Sequence, residues 1–308
     1  ANAALPATCV RAGTPAALVT LDRSLARRVA AAMKRWDIAV DDSAGAPLAH
    51  TPPGSLLRLA AETWREELAP IPLLGLLKHP LCRCGRPRAE MRDLVGALET
   101  ACLRGPRPGA GLAGLHSAFA ASVRRRGAGL PGRVARAVEA LLADLETAFA
   151  PLETLRSRKP VALADLVAAH IQCAERLSAV ADDGHERPLW AGEAGEAAAL
   201  LMNQLLDCAG DAAAIACTTY PALFDALLAG RVVRPRTGRH SRIFIWGPLE
   251  ARLQHADTVV LGGLNEGTWP AELRTDPWLS RPMRAKLGMS SPERRIGPQQ
   301  VGESPLLL

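Results

Sequence analysis

Apolar positions change their period twice along the chain. The run "AALVT" (16–20) is short, apolar and β-branched at its end, the pattern of a strand. In "DRSLARRVAAAMKRW" (22–36) the spacing becomes helical. Leu25, Val29, Ala32, Met33 and Trp36 fall on one face, with Arg27, Arg28, Lys34 and Arg35 elsewhere, and Asp22 is placed to cap the helix. "IAV" (38–40) reads as a second strand. Strand, helix, strand is the opening of an α/β unit.

From about 54 to 230 the strand signal vanishes. The spacing predicts helices near 54–68, 71–78, 88–103, 112–126, 131–149, 162–181, 192–208 and 219–229, punctuated by "HP" (79–80), "RGPRPGAG" (104–111), "GLPG" (129–132) and "RKP" (158–160). In 131–149 the residues Val134, Val138, Leu141, Leu142, Leu145 and Phe149 form a stripe. This block reads as an all-helical bundle.

Strands return in "RIFIW" (242–246) and "TVVLGG" (258–263), separated by "GPLEARLQ" (247–254). A helical block framed by α/β pieces predicts an α/β domain, mostly α overall, with a large helical insertion, its first and last strands sharing one parallel sheet. The last strand runs into Gly262-Gly263, an Asn265-Glu266-Gly267 turn and Trp269-Pro270. Gly262 and Gly263 allow close backbone approach or a positive φ. Trp246 and Trp269 both sit at strand-to-loop junctions. There an indole is either a packing residue or a platform for bases.

Composition adds little that is specific. The 308 residues suffice for two or three domains, and 48% hydrophobic content permits a sizeable core. A formal charge of +6 and a pI of about 9.2 suit an acidic partner such as nucleic acid. Only Lys34, Lys78, Lys159 and Lys286 among the 37 basic residues are lysine, a bias that a GC-rich genome also produces. Seven cysteines, no C-x2-C pair and no secretory leader point to a reducing cytoplasm and away from zinc or iron–sulfur ligation by this chain. No apolar run reaches the roughly 18 residues of a membrane span.

Sequence motifs for catalysis are absent. No G-x-x-x-x-G-K-[ST], Glu-x-Lys, G-x-S-x-G or H-E-x-x-H occurs. "GAGLAG" (109–114) follows a helix rather than a strand and reads as an interhelical linker. His79 and His170 read as a helix-end and a core histidine. Arg124-Arg125-Arg126 closes a helix, where cations complement the dipole, and a solvated helix end is the simpler reading.

Several blocks carry a resemblance. "RIFIWGPLEARLQHADTVVLGGLNEGTWP" (242–270) and "DPWLSRPMRAKLGMSSPERRIG" (276–297) resemble the AddB family of double-strand break repair proteins, of the alphaproteobacterial type. "AALVTLDRSLARRVAAAMKRW" (16–36), "DDSAGAPLAHTPPG" (41–54), "LLGLLKHPL" (73–81) and "LRGPRPGAGLAGLH" (103–116) resemble earlier blocks of the family, in order. The resemblance implies a subunit that pairs with an AddA-like helicase–nuclease, a counterpart of RecBCD, to process broken duplex ends and single strands. It implies a degenerate superfamily I helicase-like region, the second RecA-like domain. Its parts would be 1–53 and 231–297, with a helical insertion over 54–230 and a divergent tail at 298–308. The first RecA-like domain and the nuclease would lie outside this chain. ATP and Mg2+ would belong to the parent complex, with no cofactor in this chain.

The stretch "EARLQHADTVVLGGLNEGTWP" (250–270) resembles the UvrD-like helicase block "SAKGLEF", strand, "GLEEG" and "P". Arg252 stands in place of its Lys, and Leu253-Gln254-His255 in place of Gly-Leu-Glu, which argues against ATP coupling. The strand and turn would then persist as scaffold. Arg242, Trp246, Arg252, Asn265 and Trp269 are the candidate DNA contacts, the two arginines on phosphates, with the tip itself held mainly for structure. Two rival readings remain at this level: a piece of a working superfamily I ATPase, and a helical protein-interaction module without a DNA role.

Overall fold

Strand β1 (Ala16–Thr20) is buried along its whole length, because it is paired on both edges. It runs parallel to β5 (Ile243–Trp246) and to β6 (Thr258–Gly262). The register aligns Val19 with Trp246 and Leu261, and Thr20 with Gly262. A parallel strand covered on both faces needs the continuous apolar run that the sequence carries here. The outer strand β2 (Asp41–Asp42) pairs with β5, giving the order β2–β5–β1–β6. The computed structural model describes residues 14–38, 40–126, 131–180, 188–210, 212–234, 242–265 and 278–289. It is a mostly helical chain with a small parallel sheet of four strands.

The chain forms two compact units. One comprises Ala1–Gly45 and Arg234–Leu308, the other Ala46–Val233. In the first, Asp22 caps α1 (Arg23–Lys34) by accepting from the Ser24 and Leu25 amides at 2.8 and 3.2 Å. α1 ends in a left-handed turn: Asp37 has φ +54°, and the Ile38 amide reaches back to the Met33 carbonyl at 3.1 Å. The described residues of the expected strand at 38–40, Ile38 and Val40, are therefore not in a strand. Ile38 closes the helix, and pairing starts only at Asp41. The predicted face of α1 is also corrected. Ala26 is fully buried, Leu25, Val29 and Met33 are half-buried, and Ala32 and Trp36 are exposed, Trp36 by 79%. A four-stranded sheet is too small to cover the last turn of the helix.

The second unit begins and ends in a two-residue antiparallel pairing, β3 (Ala46–Pro47) with β4 (Val232–Val233). Its limits therefore lie a few residues outside the expected 54–230. Between them come α2 (Pro52–Arg65), α3 (Pro70–Leu77), α4 (Arg88–Leu98), α5 (Gly111–Arg126), α6 (Gly132–Arg156), α7 (Leu163–Ser178), α8 (Gly192–Cys208) and α9 (Tyr220–Ala229). These match the predicted helices closely. α4 runs on into one wider π turn (Glu99–Leu103), and residues 111–114 of the expected linker form the first turn of α5. α6 continues past Phe149 despite Pro151. Proline cannot donate to the carbonyl four residues back. That carbonyl, of Thr147, accepts instead from the Arg176 guanidinium.

Two histidines inside this unit are hydrogen-bonded at both ring nitrogens. His170 is fully buried on α7, with Nδ1 2.9 Å from the Tyr220 hydroxyl and Nε2 2.9 Å from the Leu57 carbonyl. A carbonyl only accepts, so Nε2 carries the proton and Nδ1 accepts from Tyr220. Burial holds the imidazole neutral, with its pKa lowered to about 4, and pushes the tyrosine hydroxyl up. His79, after α3, bonds to Ser55 at 3.0 Å and accepts from the Leu81 amide at 3.2 Å. Both histidines are thus packing residues, as their sequence context indicates.

Candidate functional site

The polarity of the sheet defines where a ligand would bind. α1 leaves β1 toward the face built by Leu18, Ile245 and Val260, where Ala26 and Val29 pack. The short α10 (Pro248–Ala251) leaves β5 toward the other face, where Ala251 joins Ala17, Val19, Trp246 and Val259. Adjacent parallel strands that send their helices to opposite faces mark a topological switch point. Open α/β sheets hold ligands outside the carboxyl ends of such strands.

At this edge the polar groups are largely tied to one another. Thr20 Oγ1 accepts from the Asp22 amide at 3.0 Å, while the Asp22 carboxylate caps α1. The backbone amides of Leu25 and Ser24 hold that carboxyl below the usual range. Arg23 grips Asp42 with two bonds, at 3.1 and 2.5 Å. Glu250 accepts from the Gly247 amide at 2.6 Å and from the Ser43 hydroxyl at 3.0 Å. The same hydroxyl lies 3.1 Å from the Ile245 carbonyl.

The glycines at the end of β6 sit in tight or left-handed positions. A Cβ on Gly262 would lie 2.9 Å from side-chain carbons of both Leu18 and Leu25. Gly263 has φ +75° and sits against Thr20 Oγ1.

Among the described candidate contacts, Arg242 is set apart from Asn265. Arg242 is exposed at the amino end of β5, where its carbonyl accepts from the Ala16 amide at 2.7 Å. Asn265 is exposed beyond the carboxyl end of β6, so the length of a strand separates them, roughly 15 Å. Trp246 is 7% exposed and stacked on Phe244 at 5.3 Å between centroids. Of the two readings of this indole, its geometry fits packing. Arg252, at the end of α10, is exposed. Glu266, Gly267, Trp269, Pro270 and the tail lie outside the described residues.

Sequence reasoning missed the Arg23–Asp42 pair and the Ser43–Glu250 link. Only the bond of Glu250 to the Gly247 amide had a signal, since "GPLE" places a glutamate at the third helical position, where it can cap its own helix.

Among the described residues no group of three or more His, Cys, Asp or Glu side chains is arranged to hold a metal. Cys82, Cys84 and Cys173 are buried in the helical unit. Hydrogen bonding to Cys84 and burial raise the Cys82 thiol, and burial raises Cys173, so both stay protonated. No described helix is long and apolar enough to cross a membrane. No family model matches the chain, and no curated protein matches it significantly.

Proposed function

We propose that this chain is part of an AddB-like, degenerate helicase-like subunit that binds DNA as a scaffold during processing of double-strand breaks, without turning over ATP itself. The observation that carries the reading is the ordered series of sequence blocks from 16 to 297 resembling that family. A parallel sheet whose strands flank a long helical segment in sequence is compatible with a RecA-like domain and its insertion. The paired groups at the carboxyl edge support a scaffold role: Asp22, Asp42 and Glu250 are engaged in caps and ion pairs. An ATP-binding loop of the P-loop type is not encoded. Cytoplasmic residence and an AddA-like partner belong to the same proposal.

One observation favours a protein-interaction role beside DNA binding. Leu249 in α10 and Leu253 in the turn after it are exposed, 70% and 87% accessible, where a partner subunit could cover them. The test is an ATPase assay on the purified chain with Mg2+ and DNA. The proposal expects no DNA-stimulated hydrolysis. Turnover that co-purifies with the protein and rises with DNA would favour a working motor instead.

A further inference from the structure

The geometry points to a second polyanion-binding surface, in the helical unit, where Arg124 and Arg125 at the end of α5 and Arg133 and Arg136 at the start of α6 together take a nucleic-acid phosphate backbone. The inference rests on the DNA-binding reading above and locates a surface that the sheet edge does not provide.

Charge is distributed unevenly along the chain. Residues 100–138 contain seven arginines (104, 107, 124, 125, 126, 133 and 136) and no aspartate, glutamate or lysine. That stretch carries +7, so the rest of the chain, against a total of +6, carries −1. Arginine elsewhere in the helical unit is commonly paired: Arg65 with Glu66, Arg86 with Asp144, Arg156 with Glu153. Arg124, Arg125, Arg133 and Arg136 are exposed and have no ion pair or side-chain hydrogen bond among the described residues. Glu139, one turn beyond Arg136, does not engage it.

The helix dipole explains only half of this cluster. Cations in the last turn of α5 are favourable, but Arg133 and Arg136 stand in the first turns of α6, where positive charge is repelled. The first turn of α6 has no acidic residue, and no side chain caps it. The four unpaired guanidiniums on these two successive helix ends repel one another, and the two on α6 also oppose their own helix dipole. A multivalent anion would relieve that repulsion. Residues 127–131 connect the two helices, and their covalent reach keeps the ends within about 20 Å. This span suits several successive phosphates.

The choice of occupant follows from what surrounds the charges. No large apolar side chain of α5 or α6 is exposed among the described residues. Membrane surfaces are held by cations together with an apolar face, and protein interfaces by a buried aromatic or aliphatic anchor. A bare set of guanidinium forks fits a phosphate backbone.

The test compares the full chain with R124Q/R125Q/R133Q/R136Q and with R242Q/R252Q. Binding to a labelled duplex and to a labelled single strand of equal length is followed between about 50 and 200 mM salt. Neutralising four phosphate contacts should shrink the salt-induced loss of duplex affinity by about 100-fold, at roughly 0.9 in slope per contact. The larger effect on one probe identifies whether duplex or single strand is the ligand. Arg133→Gln and Arg136→Gln singly should each lower the slope by about 0.9 with an unchanged or slightly raised thermal midpoint, which separates binding from folding. A quadruple variant with wild-type slope overturns this surface while leaving the DNA-binding reading intact. Absence of DNA binding by the wild-type chain overturns both. Loss of binding to phosphatidylserine vesicles or polyglutamate in the variants, with DNA binding kept, also overturns it.

Discussion

The Tyr220 hydroxyl donates to His170 Nδ1 across 2.9 Å inside the helical core, tying α9 to α7, while the other nitrogen of the same ring donates to the Leu57 carbonyl of α2. Three helices are thereby fixed by one imidazole. Tyr220→Phe leaves a buried nitrogen without its donor and should destabilise the chain by about 1–3 kcal/mol in denaturant titration. An effect near zero would show that the bond contributes nothing net.

The same ring predicts acid sensitivity. His170 has a folded-state pKa lowered to about 4 from an ordinary 6.5. The unfolded state therefore binds more protons between these values, so stability is full above about 6.5 and is lost as the pH falls toward 4. The loss attributable to this group is on the order of 3 kcal/mol at the low end. His79, lowered in the same direction and only half-buried, adds a smaller share. His170→Gln, whose amide can accept from Tyr220 and donate to Leu57, should flatten the pH profile of thermal melting.

Gly263 and Gly96 should respond oppositely to alanine. Gly263 sits at φ +75° with Thr20 Oγ1 close by, so Gly263→Ala should cost about 1–2 kcal/mol. Gly96 is exposed inside α4 with open space around it, and Gly96→Ala should stabilise by up to about 1 kcal/mol. Paired denaturant melts check both signs at once.

Asp37 occupies the left-handed position that closes α1, at φ +54°. Asp37→Gly should stabilise the sheet unit by about 0.5 kcal/mol, read as a small rise in thermal midpoint.

Much of this fold was legible in the sequence. Strand β1 is a continuous apolar run because it is covered on both faces, β5 and β6 are apolar runs beside it although Leu261 of β6 is exposed, and proline and glycine mark most helix ends. The failures have local physical causes. Residues 38–40 look like a strand, but the turn at Asp37 commits Ile38 to closing α1. The predicted helix 131–149 stops short of Pro151, yet α6 runs on to Arg156, and Arg176 satisfies the one carbonyl that proline leaves open. Trp36 belongs to the helical period of α1 but extends beyond the sheet that would bury it. The site was less legible. Arg242 precedes its strand and Asn265 follows another, so parallel pairing sends them to opposite edges. Side-chain pairs such as Arg23 with Asp42 arise from strand order, which local spacing does not encode.

Trp246 separates the two roles posed for its indole. Stacked on Phe244 and covered, it should cost about 3–5 kcal/mol on Trp246→Ala. DNA affinity measured well below the variant's melting temperature should change little. Unchanged stability with lost DNA binding would make it a stacking platform.

The central claim is that this chain binds DNA through phosphate contacts without acting as a motor. The most direct measurement is the affinity of the purified chain for single-stranded and duplex DNA as a function of salt, with ATP hydrolysis followed in the same samples. The account predicts binding whose logarithm falls linearly with the logarithm of salt concentration, and no ATP turnover. Absent or salt-insensitive binding would contradict it.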